Sequence, residues 1–97
     1  MMRAVLLADL EQGARALLAR PDCDWPDLAA TMIAQAHLAD KYRKRTGRAH
    51  PDWGNGTLHD RAIRLPRAPI RYPTPEGFHH ALSVLLQTYI ASRHQNR

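Results

Sequence analysis

Cysteine occurs once in these 97 residues, as Cys23, so no internal disulfide forms and the usage points to a reducing compartment. No stretch approaches the roughly 20 apolar residues that a membrane span requires. The run Ala4–Leu10 is apolar, but Asp9 interrupts it and no small-residue cleavage site follows. It reads as the first turns of a helix and not as a signal peptide. A cytoplasmic chain without membrane contact is expected. Also missing are a glycine-rich phosphate loop, a carboxylate pair, and any base placed to activate Cys23, whose acidic neighbours oppose a thiolate while the helix start beside it favours one.

Six histidines are present, but no two lie four apart on one helix and no second cysteine joins them. His37 and Asp40 are three apart, and His50, Asp52 and His59 fall in one region, yet these spacings do not meet the ligand rules for a metal. No metal, cofactor or catalytic residue is expected, and the chain is predicted to be no enzyme. Helix-turn-helix, zinc-finger and RNA-recognition signatures are missing too, so sequence-specific readout of nucleic acid has no support in the sequence.

What is there is helical periodicity. Leu6, Leu10, Ala14 and Leu17 recur at helical spacing between about Arg3 and Arg20, and Pro21 ends the run. Gly13 either weakens this helix or admits a close neighbour. The next helix starts at Asp24, expected to cap it, with Pro26 in the first turn. It buries Leu28, Met32, Ile33 and Ala36 and runs to about Thr46, with Gly47 as its stop. A loop from Arg48 to Gly56 follows, in which Asn55-Gly56 supplies a tight turn with positive backbone torsions. Thr57 caps a short helix from Leu58 to Arg64. The stretch Pro66–Pro75 has four prolines, so it is an extended connector. Thr74-Pro75-Glu76 opens a last helix with Phe78, Leu82, Leu85 and Tyr89 on its buried face, and the tail beyond Arg93 is expected to fray. The sum is one all-α domain spanning residues 1–97: three main helices in a small bundle, a short extra helix and a proline-rich connector.

Charge is unevenly placed along these elements. Residues 41–71 hold nine Lys or Arg against two Asp, whereas the first forty residues hold three against six. Such a basic waist points to an anionic partner. Cations at the end of the second helix also offset its dipole, matched by Asp22, Asp24 and Asp27 at its start. That account does not reach Arg61, Arg64, Arg67 and Arg71. If the two basic segments converge across the loop, Lys41, Arg43, Lys44, Arg45, Arg48, Arg61 and Arg64 form one phosphate-binding surface. Trp53, in the turn, either stacks a base there or plugs the loop onto the bundle.

Two resemblances add to this. Tyr42-Arg43-Lys44 followed by His50-Pro51-Asp52 resembles the J-domain of Hsp70 co-chaperones, which implies that His50, Pro51 and Asp52 trigger a chaperone ATPase while Lys41, Lys44 and Arg45 dock on it. The block from Ala39-Asp40 through Tyr42-Arg43-Lys44-Arg45, Gly47-Arg48, His50-Pro51, Trp53-Gly54-Asn55-Gly56 and Leu58 resembles a family of small alphaproteobacterial, Rhodobacter-like proteins whose domain has no assigned activity. The expected function is therefore a non-catalytic binding module holding nucleic acid, or a complex that handles it, through a basic surface. The alternative is an adaptor that docks an acidic partner protein, with the J-like case as a special form. Self-association is a third expectation, because the apolar face of the last helix is wide for so small a core.

Overall fold

The computed structural model describes residues 6–68 and 75–95, so the expected helical start at Arg3 and residues 69–74 of the connector lie outside the described residues. Four helices result: α1 (Leu7–Leu18), α2 (Trp25–Thr46), α3 (Leu58–Ile63) and α4 (Pro75–Gln95), with a 3-10 turn at Asp22–Asp24 before α2. Among the described residues there is no strand, only an isolated bridge between His50 and Gly54. The all-α fold with three main helices and one short one is as expected.

Each boundary has a local cause. Leu6 is extended, and its N–H donates to Asp9 Oδ2 at 2.7 Å, which caps the start of α1. Gly47 ends α2 in the left-handed region, φ 75°. Thr57 caps α3 as expected, its hydroxyl accepting the Asp60 N–H at 3.1 Å. Asp24 departs from expectation. It occupies the cap position of α2, but its side chain makes no cap bond. The preceding turn holds it in helical torsions, and its carboxylate meets Arg20 and Cys23 instead. α4 continues two residues past Arg93, to Gln95.

The contacts give the helix directions. Trp25 meets His80, while Ile33 and His37 share a groove with Thr88, Ala91 and Ser92, so α2 and α4 run parallel. α1 runs opposite to α2, joined to it by the short turn. α3 starts beside Asp40, at Gly56, and then passes Gln35 through Arg61, moving back along α2. Residues 65–68 continue this return. The amide of Ala68 donates to Arg15 O at 2.9 Å, and Arg15 Nε donates to Ala68 O at 2.8 Å. Arg67 also bonds Gln12. The return carries the chain back toward the start of α2, which is why α4 can lie parallel to it.

The core is made largely of alanine and medium-sized side chains. Ala14 and Leu17 of α1 meet Trp25, Ala29, Met32, Ile33 and Ala36 of α2, with Leu58 and Ala62 of α3 and Ala81 and Leu85 of α4. Small residues let the helix axes approach. Gly13 takes this furthest: a methyl group there would stand 2.5 Å from Leu85 Cδ2, so α4 packs directly on the α1 backbone. Leu28, expected in the stripe, is only half-buried at the edge of this cluster.

Candidate functional site

The basic residues gather at the end of the molecule where α2 and α4 both finish. The loop there, residues 47–57, is held by its own polar groups. His50 and Gly54 exchange backbone bonds, N to O at 2.8 Å and 3.0 Å. Inside the ring so closed, His50 Nδ1 accepts the N–H of Asp52 at 3.0 Å and of Trp53 at 3.1 Å. An accepting Nδ1 assigns the ring proton to Nε2. Asp60 Oδ2 accepts the Asn55 N–H at 2.8 Å, and Asn55 Oδ1 accepts from the backbone and hydroxyl of Thr57 at 3.0 Å and 2.7 Å. The expected Asn-Gly turn holds at Gly56 and is corrected at Asn55. The positive torsions belong to Gly54 (φ 89°) and Gly56 (φ 97°), and among the described residues none belongs to a non-glycine. Asn55 is occupied instead in bonding its own loop.

Trp53 is half-buried and lies flat on the His50 imidazole, ring centres 4.6 Å apart and planes 8° off parallel. Tyr42 meets the same imidazole edge-on at 5.0 Å. The three rings tie the loop to α2. Pro51 and Asp52 remain exposed at its tip.

The eight candidate residues separate into two groups. Lys44 reaches back to the buried Asp40 carboxylate at 3.0 Å. Arg64 reaches Asp60 at 3.6 Å and the Pro51 carbonyl at 3.4 Å, while Arg61 is half-buried with Nε donating to Gln35 Oε1 at 2.6 Å. Burial, and then the neighbouring Arg64, lower the Arg61 pKa, although a guanidinium stays charged at any physiological pH. These three cations are held by the protein's own groups, Lys44 within α2, Arg61 between α3 and α2, and Arg64 on the loop that Trp53 also secures. Lys41, Arg43, Arg45 and Arg48 are exposed and meet no carboxylate among the described residues. They do not all share one face. At about 100° per residue, Lys41 and Arg45 lie on the outer side of α2, and Arg43 projects roughly opposite, beyond the Ala36–Ala39 stripe. What they share is an end of the bundle, where Arg93 of α4 also lies over the Tyr89 ring at 5.9 Å.

Asp9 is a functional-looking carboxylate that sequence reading left unexplained. It is buried, 5% exposed, and its Oδ1 accepts the His59 N–H at 2.8 Å while Oδ2 caps α1. Both oxygens are spent on helix starts 50 residues apart, so it pins α3 to α1 and leaves little capacity for a ligand. The only sequence signal was its position as an acidic break in an apolar run. Cys23 is exposed, with its thiol toward Asp24. No group of three metal-ligating side chains occurs among the described residues, and no helix among them is long and apolar enough to cross a membrane.

Residues 3–89 match the family described as Domain of unknown function (DUF7742), and the chain belongs to it. No curated protein and no solved structure matches the chain.

Proposed function

We propose that this protein is a small, non-catalytic helical module of the cytoplasm that binds nucleic acid, or a complex that handles it, mainly through phosphates. The observation that carries this reading is the crowding of exposed cations Lys41, Arg43, Arg45 and Arg48 at one end of the bundle, beside a loop braced by Arg64 and Trp53. Cations radiating from a helix end suit a polyanion, whose phosphates recur along its length, better than a single small anion. Their divergence around α2 fits contact without sequence readout. Because Trp53 is already stacked on His50, base stacking is secondary in this reading.

The test is a salt series of binding to duplex DNA and to RNA, read by fluorescence anisotropy. Removing one phosphate-binding cation should lower the slope of log K against log salt by about one. Arg45→Gln with Arg48→Gln should therefore lower it by about two. No binding at low salt, or an unchanged slope in the double variant, overturns the reading.

An adaptor that docks an acidic protein is the rival, and the exposed Pro51-Asp52 tip beside a basic helix favours it. In its J-like form, the protein would stimulate ATP hydrolysis by an Hsp70 chaperone, and His50→Gln would abolish the stimulation. Retention of one acidic partner without any nucleic-acid shift would select this reading.

A further inference from the structure

Parallel packing of α2 on α4 leaves a groove of about 480 Å³. Ala30, Ile33, Ala34 and His37 of α2 line one side, and Thr88 and Ala91 of α4 the other. Leu38 stands beside them, 48% exposed, and the buried His37 Nδ1 has no hydrogen-bond partner among the described residues. An apolar face of this kind calls for a cover, and the charge beside it says which one.

At about 100° per residue, Asp27, Ala30, Ala34 and Lys41 fall within about 60° of one another on the outer side of α2. Ala34 is their midpoint. Asp27 lies seven residues before it and Lys41 seven after, each about 10 Å along the axis. Asp27 and Lys41 are both exposed. A helix that carries an acid at one distance from its centre and a base at the same distance beyond it is complementary to itself turned end for end. The bundle repeats the pattern on a larger scale. Asp22, Asp24, Asp27 and Glu76 lie where α2 and α4 begin, and Lys41, Arg43, Arg45, Arg48 and Arg93 where they end. Side by side in the same sense, two copies repel; reversed, acidic end meets basic end. The small side chains at Ala30 and Ala34 allow close helix approach at the centre.

We propose that the occupant of this groove is a second copy of the chain, related by a two-fold axis passing beside Ala34. The two α2 helices then run antiparallel. Each Leu38 packs into the other copy's groove, and each Asp27 faces the other copy's Lys41. The symmetry makes the interface isologous, so each charge pair occurs twice. The pairing leaves Arg43, Arg45 and Arg48 at both outer ends of the dimer.

Sedimentation velocity of the full chain across a concentration series tests the proposal. The expected result is a monomer–dimer equilibrium. Ala34→Glu, at an exposed site that tolerates a good helix former, should weaken self-association more than about tenfold with unchanged helical circular dichroism. Asp27→Lys and Lys41→Asp should each be monomeric alone, and an equimolar mixture of the two should restore a dimer, because each surface then opposes its complement. A monomer at every concentration, a dimer that Ala34→Glu leaves intact, or a mixture that does not reassociate overturns it. Nucleic-acid binding measured on Ala34→Glu separates this interface from the phosphate surface: loss of the dimer with binding retained is the expected outcome.

Discussion

The two ends of the bundle are held by different physics. Where α1 turns into α2, stability comes from burial. Trp25 is 6% exposed, its indole N–H donates to Arg20 O at 3.0 Å, and His80 meets its ring edge-on at 5.1 Å. A short turn makes that connection between large, non-directional packing surfaces. At the other end, residues 47–57 bury little apolar surface and rely on directional bonds: His50 Nδ1 to two amides, Asp60 to Asn55, Asn55 to Thr57. The first end should be sensitive to a loss of volume and indifferent to geometry. The second should be the reverse, failing when one atom is added in the wrong place.

The largest effect is expected at the packed end. Trp25→Ala should cost about 3–5 kcal/mol, read from urea unfolding, a large share of what a domain of this size has. Trp25→Phe should recover most of it, since the ring volume matters more than the single indole bond. The loop end is tested by a pair of glycines. A methyl group at Gly56 would lie 2.7 Å from Asp40 Cα, with φ at 97°, whereas Gly47, at φ 75°, has nothing within 4 Å. Gly47→Ala should therefore cost only about 1–2 kcal/mol of left-handed strain. Gly56→Ala should cost more than this and displace the loop, with loss of the Trp53–His50 stacking visible as a change in near-ultraviolet circular dichroism. Equal costs at the two glycines would mean that the loop is not seated on α2.

The smallest effect is a dependence on pH, and it belongs to neither end. Burial in the groove wall, helped by nearby Lys41, lowers the His37 pKa below its ordinary 6.5. The folded state favours neutral imidazole, so between the lowered value and 6.5 the unfolded chain binds more protons. Stability from this group is full above about pH 6.5 and declines as pH falls through that value. Subtracting the profile of His37→Gln from that of the parent isolates the term. A difference that falls with rising pH instead would remove it.

The contrast between the ends also explains what could be read in advance. Helix α2 was legible almost to the residue, because Pro26 and Gly47 act through their own backbone torsions and need no partner. The cap at Thr57 was legible for the same reason, its bond reaching only to Asp60. Asp24 looked like an equally good cap, yet a 3-10 turn upstream set its torsions to helical values, and no pattern in Asp22-Cys23-Asp24 announces that turn. Asn55-Gly56 pointed to the right loop and was right for Gly56 but not for Asn55. Asn55 was claimed by Thr57 and Asp60, which left the left-handed torsions to Gly54 and Gly56. The basic waist was legible as charge but not as a surface. Counting cations could not show that Gln35 and Asp60 draw Arg61 and Arg64 inward, or that Asp40 holds Lys44. Those pairings depend on α3 lying against α2, a relation fixed partly by Asp9 across 50 residues.

With α2 and α4 parallel and only the shorter α1 and α3 opposed, the side chains lay carboxylates at one pole and guanidinium groups at the other, a polarity opposite to the helix dipoles of about half a charge and larger than them. A single such molecule has a heading. Near a polyanionic surface it is turned before it touches, arriving pole-first through an oriented approach, and two of them locked in opposite senses lose that heading altogether. In the proposed dimer, assembly and steering would be set against each other by the direction in which one helix was returned to the bundle.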